Sequence, residues 1–318
     1  MTVSAGARLL EGAPIASEIR AGVAADVTAF VAAYGRPPAL AVVVCGRDAP
    51  SMVYLERILK ACTAAGIDGR LVVIPDGDAG SQERALVAAL HELNDDAHVA
   101  GIIVQMPLPA DIRLRPVVDA IDPAKDIDGI HPLNAGLLRL GWDGFVPATA
   151  HAALEMLHRS GVTIRGAEAV VIGRSPVVGM PAAFMLTRED ATVTVCHSRT
   201  ADLAGHVRRA DIVVVAAGRP GLVTGDMLKP GAVVIDVGIN VVNDRIVGDV
   251  DFESAREVAG AITPVPGGVG PLTNALLLAH LVRAAQKQAA VNSGAGGANS
   301  GADGVMSGAD RAAEGSAQ

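Results

Sequence analysis

Four stretches of this chain carry residue types at spacings that could do chemistry. In Ala169-Val-Val-Ile-Gly-Arg-Ser-Pro-Val-Val-Gly-Met-Pro181, an apolar run leads into Gly173, a short polar turn and then Gly179. A β-branched run of that kind reads as a buried parallel strand, and the second glycine can open a helix. Glycines at such a turn let backbone N–H groups approach a bound anion, and the helix adds its positive N-terminal end. The geometry suits the pyrophosphate of a dinucleotide. The spacing is not G-x-G-x-x-G, since Ser175 holds the middle-glycine position, so an ordinary strand–turn–helix explains these residues equally well.

The other three stretches each admit a plainer reading. Val104-Gln-Met-Pro-Leu-Pro109 puts the Gln105 amide at the carboxyl end of a predicted strand, where open α/β sheets collect ligands. A strand end with a turn-forming tail is the alternative. Pro123-Ala-Lys-Asp-Ile-Asp-Gly129 sets Asp126 and Asp128 on a turn. The further acidic ligands of a calcium loop are missing, so a pair of turn-forming aspartates competes with any functional reading. The run from Pro264 to Pro271 is dense in proline and glycine, which is unfavourable unless the backbone must take one special path. Ligand contact through Pro266, Gly267, Gly268, Gly270 and Pro271 is expected there. The eight histidines are scattered without metal-ligand spacing, and no metal is expected.

These segments need a scaffold to bring them together. Apolar strand-like runs at 40–45, 71–74, 99–104, 169–172, 192–196, 212–216 and 233–237 alternate with helical patterns at 51–65, 82–93, 151–160, 180–186 and 272–285. Such alternation predicts a two-domain α/β fold with parallel sheets and a cleft between the domains. The chain's 318 residues suit two domains; half are hydrophobic but only 2% aromatic, so the core must be built from Ala, Val, Leu and Ile. The formal charge of −8 and the lack of a basic run argue against nucleic acid. Apolar runs are too short to span a bilayer, no secretory signal is evident, and three distant cysteines do not suggest a disulfide framework. A cytoplasmic protein without membrane partners is expected. From about residue 291 the composition turns to Gly, Ala, Ser, Asn and Asp, and 291–318 is expected to be a disordered tail.

The set of motifs resembles the methylenetetrahydrofolate dehydrogenase/cyclohydrolase family. The matching pieces, in family order, are Ser51-x-x-Tyr54, Val104–Pro109, Lys125-Asp-Ile-Asp-Gly129, Gly173-Arg-Ser-x-x-Val-Gly-x-Pro181, Cys196-His-Ser198, Ile235-Asp-Val-Gly-Ile-Asn240, Gly248-Asp-Val-Asp251 and Thr263–Pro271. The resemblance implies a folate-binding catalytic domain over 1–148 plus 269–290, and a Rossmann-like NADP-binding domain over 149–268. It implies NADP-dependent oxidation of 5,10-methylenetetrahydrofolate, hydrolysis of the methenyl product to 10-formyltetrahydrofolate, and a homodimer. Carried over by position, Tyr54 borders the folate ring, Gln105 hydrogen-bonds beside the reacting carbon, and Asp128 holds the pterin's amino edge. Gly173, Arg174 and Ser175 cradle the cofactor phosphates, Ser198 lies beside the adenosine ribose, and Ile239 lies beside the nicotinamide. Arg174 and Ser198 together favour NADP over NAD.

Two departures from that pattern stand out. The family follows its tyrosine with Tyr-x-x-x-Lys, and here the lysine position is Ile58. On a helix Tyr54 and Ile58 share a face, so an aliphatic group is expected toward the folate. Lys60 points away, and Arg57 stays protonated and cannot serve as a neutral base. Hydride transfer depends on aligning two rings, whereas hydrolysis must activate water; the dehydrogenase is therefore expected to work and the cyclohydrolase to be weak or lost. A fully bifunctional enzyme, with water activated by Gln105 and other groups, and a non-catalytic folate- or NADP-binding paralogue are the alternatives. The second departure is Pro147-Ala-Thr-Ala150, where the family commonly has Pro-Cys-Thr-Pro.

Overall fold

The computed structural model describes residues 6–46 and 49–293, without the side chains of 49–51, 53 and 54. The first half runs β1 (Arg8–Leu9), α1 (Gly12–Tyr34), β2 (Ala39–Cys45), α2 (Ala49–Ala64), β3 (Asp68–Ile74), α3 (Ala79–Asp95) and β4 (Val99–Val104). Strand β2 reads Ala-Leu-Ala-Val-Val-Val-Cys and is buried up to its last residue. That continuous apolar run makes it the centre of a parallel sheet ordered β3-β2-β4. Two short helices, α4 (Leu114–Asp119) and α5 (Pro132–Leu140), lead to α6 (Ala148–Arg159).

The second half contains β5 (Glu168–Ile172), α7 (Gly179–Arg188), β6 (Thr192–Cys196), α8 (Leu203–Val207), β7 (Ile212–Val215) and β8 (Val233–Asp236). A hairpin of β9 (Asn240–Val242) and β10 (Arg245–Val247) follows, then α9 (Phe252–Arg256), β11 (Ala261–Ile262) and α10 (Val269–Asn292). The main sheet is ordered β1-β11-β8-β7-β5-β6, and every pairing in it is parallel. The chain steps from β5 outward to β6, then returns to the other side of β5 for β7 and β8. The gap between the carboxyl ends of β5 and β7 is thus a topological switch point, where ligands of open α/β sheets settle.

Helices α6 and α10 join the halves through their packing. Val269, Leu272, Ala275 and Leu276 of α10 pack in the core beneath the six-stranded sheet, together with Leu154, Met156 and Leu157 of α6. Farther along α10, Leu277, Leu278, Leu281 and Val282 enter the core of the three-stranded half with Ala148. A helix buried on so many sides must thread between two cores.

Several expectations need correction. Strand β1 pairs with β11, so residues 8–9 belong to the second sheet rather than to the domain bounded at 148. The last helix was expected at 272–285, but it opens at Val269 and runs to Asn292, past the boundary at 290. The expected tail thus begins inside a helix, and its residues from 294 lie outside the described part of the chain. Helix α1 and the β9–β10 hairpin were not foreseen. Among the described residues, no helix is long and apolar enough to cross a membrane.

Candidate functional site

A cavity of about 160 Å³ opens at the carboxyl end of β4, walled by Ile103, Val104, Gln105 and Met106 on one side. Asp128, Thr149 of α6, and Thr273 and Leu277 of α10 complete it. Two sequence candidates from distant segments, Gln105 and Asp128, are brought to one place. The Gln105 backbone N–H extends the sheet by donating to Val43 O at 2.8 Å, and its side-chain Nε2 donates to Met106 O at 2.7 Å. These bonds pin the amide at the rim. Thr149 and Thr273 were not singled out as site residues. Thr149 lies in the Pro147–Ala150 segment noted as a departure, and Thr273 sits two residues past the glycine-rich run, one turn beyond Val269.

The two aspartates on the 123–129 turn have different tasks. Asp126 is buried and accepts hydrogen bonds from the backbone N–H groups of Ile130 (3.1 Å) and His131 (2.8 Å) and from Asn134 Nδ2 (2.8 Å). It organises the turn. Asp128 faces the cavity. Burial, then the Asp126 charge, push its carboxyl up to about 7, opposed by a hydrogen bond from the Ala148 backbone N–H. Lys125 sits beneath, its Nζ donating to Leu93 O, Asn94 O and Asp96 O at 3.0, 2.6 and 2.9 Å. It caps the carboxyl end of α3, and burial lowers its pKa.

The Tyr54 expectation falls on a side chain outside the described residues. Ile58 is described, and it corrects the picture: it is 2% exposed and packs in the apolar cluster with Ile103 and Leu277. It is not among the residues that line the cavity, whereas an aliphatic group facing the folate was expected there. Arg57 and Lys60 are exposed on α2. Among the described lining residues there is no amine and no imidazole.

The cofactor candidates gather at the carboxyl edge of the six-stranded sheet. Gly173 ends β5 with φ +126°, and a β-carbon there would collide with the Ala216 carbonyl at the end of β7. A β-carbon on Gly179 would collide with the Gly173 carbonyl, so both glycines are required for this turn to close. Ser175 Oγ accepts from the N–H groups of Val178 (3.2 Å) and Gly179 (3.4 Å). Its lone pairs are thus engaged by the backbone, leaving its O–H proton to donate to an anion. Arg174 and Ser198 are exposed, and Ile239 is 70% exposed in the link between β8 and β9. These residues thus follow the carboxyl ends of β5, β6 and β8, on one edge of the six-stranded sheet. The cradle, the free hydroxyl proton and the exposed guanidinium fit a phosphorylated dinucleotide.

The segments around β8 and the glycine-rich run have structural tasks as well. Asp236 accepts from the backbone N–H groups of Gly238, Asp249 and Val250, and Asp249 accepts from Ala217, Gly218 and Asn240 Nδ2. This pair fastens the β9–β10 hairpin over the sheet edge; burial raises the Asp236 carboxyl to about 6. In the glycine-rich run, Gly267 has φ +115° and its carbonyl accepts from Gly12 N–H at 2.8 Å. A β-carbon on Gly268 would meet Thr263 and Pro264, while Gly270 faces open space. The path of this loop is thus set partly by its packing on the start of α1. Pro266 and Gly267 remain exposed, and Pro271 is half-buried in the first turn of α10. A larger cavity of about 400 Å³ between the hairpin and residues 251–253 holds none of the candidate residues.

Comparison with known proteins bears on both halves. Residues 10–128 match the family model for the tetrahydrofolate dehydrogenase/cyclohydrolase catalytic domain, and residues 147–289 match that for its NAD(P)-binding domain. The chain is 50% identical over 298 residues to a bifunctional FolD protein of Rhodopirellula baltica, covering 89% of this chain and 98% of that one. The bifunctional FolD methylenetetrahydrofolate dehydrogenase/cyclohydrolase from Campylobacter jejuni superposes with a TM-score of 0.85 at 40% identity, covering 88% of this chain and 98% of that one. A Trypanosoma brucei methylenetetrahydrofolate dehydrogenase-cyclohydrolase, solved with NADP cofactor and inhibitor, also superposes with a TM-score of 0.85 at 40% identity. That match covers 89% of this chain and 99% of the other.

Proposed function

The chain belongs to the tetrahydrofolate dehydrogenase/cyclohydrolase family and is an NADP-using methylenetetrahydrofolate dehydrogenase, and we propose that its cyclohydrolase activity is weak or absent. What supports this reading is Ile58: at the position to which the family resemblance assigns a lysine, the chain has an aliphatic residue buried in the core, and no amine is among the described residues lining the cavity. The Asp128 carboxylate accepts two N–H bonds from the pterin's amino edge, fixing the folate in the cavity. Gln105 borders the reacting carbon, with Tyr54 against the ring. Gly173, Arg174 and Ser175 hold the cofactor phosphates, Ser198 the ribose side, and Ile239 the nicotinamide side. Bound there, NADP supplies the hydride acceptor. The protein's contribution to oxidation is then alignment of the two ligands and exclusion of water.

Hydrolysis asks for more. Water must be activated and protons moved around a tetrahedral centre, and positioned general acid–base help is commonly worth ~10²–10⁴-fold. Amide and hydroxyl groups at Gln105, Thr149 and Thr273 can orient a water, but none is a base at neutral pH. We also take the chain to work as a cytoplasmic homodimer on tetrahydrofolate derivatives, as the family resemblance implies.

The test supplies methenyltetrahydrofolate directly and follows its enzyme-dependent decay, with NADPH formation from methylenetetrahydrofolate measured on the same preparation. NADPH formation without added decay is expected. Strong enzyme-dependent decay would show that another group activates water and that the reading is wrong.

A further inference from the structure

Two histidines on facing helices stand beside the folate cavity without lining it. His280 of α10 is 4% exposed and lies about one helical turn beyond Leu277 of the cavity wall. Its Nδ1 is 2.9 Å from the carbonyl oxygen of Ile127, the residue preceding Asp128. Its Nε2 is 3.0 Å from Nδ1 of His151 on α6, and the two rings are nearly parallel at 11°. The carbonyl can only accept, so a neutral His280 carries its proton on Nδ1 and accepts at Nε2. His151 must then carry its own proton on Nδ1 and donate. The chain has one direction, from His151 to His280 to the Ile127 carbonyl. Burial keeps His280 neutral, holding its pKa down at about 4, and it lowers His151 as well.

Both helices also reach the next residue. Ala148, the first residue of α6, directs its N–H to the Asp128 carboxyl, and His151 sits three residues on, on the same side of the helix. So the start of α6, whose Thr149 lines the cavity with Asp128, stands beside the carboxyl, α10 holds the carbonyl before it, and the histidine pair ties the two helices together at that point. We propose that His280, oriented by His151, is a positioning residue that sets Asp128 for its bond to the pterin edge during the dehydrogenase reaction. The inference rests on the reading above of Asp128 as the pterin-binding carboxylate.

Steady-state kinetics of the full chain test it. His280→Leu removes both bonds and is expected to raise KM for methylenetetrahydrofolate ~10-fold, with kcat and the KM for NADP changed less than ~2-fold. Asparagine places an amide N–H near the Nδ1 position, so His280→Asn is expected to restore the folate KM. Glutamine reaches the Nε2 position instead, so His280→Gln is not. In an Asp128→Ala background, His280→Leu should add less than ~2-fold, because the group being positioned is gone. The proposal is overturned by an unchanged folate KM in His280→Leu, by equal effects of Asn and Leu, by full additivity with Asp128→Ala, or by equal damage to NADP binding. Should His280→Leu fail to fold, the Asn and Gln pair decides alone. If Asp128→Ala by itself leaves the folate KM unchanged, the assignment of Asp128 fails; if it raises KM and the His280 variants do not, only the positioning role fails.

Discussion

Asp128 holds its proton more tightly than an ordinary carboxyl because burial and Asp126 oppose its ionisation, and its pKa is about 7. Only the ionised form accepts two N–H bonds from a pterin edge. The kcat/KM for methylenetetrahydrofolate should therefore fall ~10-fold per pH unit below about 7, which a pH profile of the free enzyme would read. A flat profile between pH 5 and 7 would exclude Asp128 from binding. The same raised value gives a stability effect of definite sign. Asp128's contribution is fully present below the unfolded-state value near 3.8 and is lost as pH rises through about 7. Asp128→Asn should therefore raise Tm at pH 8 but not at pH 4, while raising the folate KM. The spacing of Lys125-Asp-Ile-Asp-Gly129 by itself does not tell the two aspartates apart; the family resemblance singled out Asp128, and it is Asp128 that lines the cavity. The difference lies in Asp126 receiving Asn134, a residue supplied by α5, which spacing along the motif does not reveal. Ile58 was legible as a missing amine but not as a core residue, because the helix face that reaches the family's ligand here also meets the apolar cluster. Replacing it by lysine places an ammonium at the end of a four-carbon stem beside the cavity wall. Ile58→Lys is expected to lower Tm through the desolvation of that charge and to raise methenyltetrahydrofolate decay at least ~10-fold, measured on the folded variant.

At the scale of elements, the strands were easiest to read. Strands β4 and β6 occupy the expected residues, and β2 and β5 differ by one residue, because short segments rich in Val and Ile between polar or turn-forming residues read as buried strands. At the turn after β5 the glycines were expected to let the backbone approach a bound anion; the close approach at Gly173 is to Ala216, where φ +126° and the neighbouring carbonyl leave no room for a side chain. Gly173→Ala should destabilise the fold by more than ~1 kcal/mol and raise the KM for NADP while sparing folate binding, measured by thermal melts and separate titrations. Unaltered NADP affinity in that variant would place the phosphates elsewhere. Helix α1 escaped notice for a compositional reason. Its 23 residues hold so many alanines that apolar residues fall on every face, blurring the stripe of Ala16, Val23, Val27 and Phe30 that is buried. The β9–β10 hairpin had a readable signal, Asn243-Asp244 between Val-rich flanks, and both turn residues take positive φ at 51° and 59°.

Over the whole molecule, the cleft exists because α6 and α10 each serve two cores at once. Their small and aliphatic residues set the wall from which Thr149, Thr273 and Leu277 reach the cavity. The buried Ala148 and Ala150 at the family's Cys and Pro positions make the first turn of α6 part of that packing. Domain number and the alternation of strand and helix were visible in the sequence. The crossing of β1 into the second sheet was not, since a two-residue strand has no periodicity to read. On the proposed reading of the cavity at β4 and the turn after β5, with no amine among the described lining residues, oxidation and hydrolysis should separate. The most direct measurement is the identity of the product formed from methylenetetrahydrofolate and NADP during turnover. Methenyltetrahydrofolate should accumulate in step with NADPH and pass to 10-formyltetrahydrofolate only at the rate seen without enzyme; 10-formyltetrahydrofolate rising together with NADPH, with no methenyl accumulation, would contradict the account.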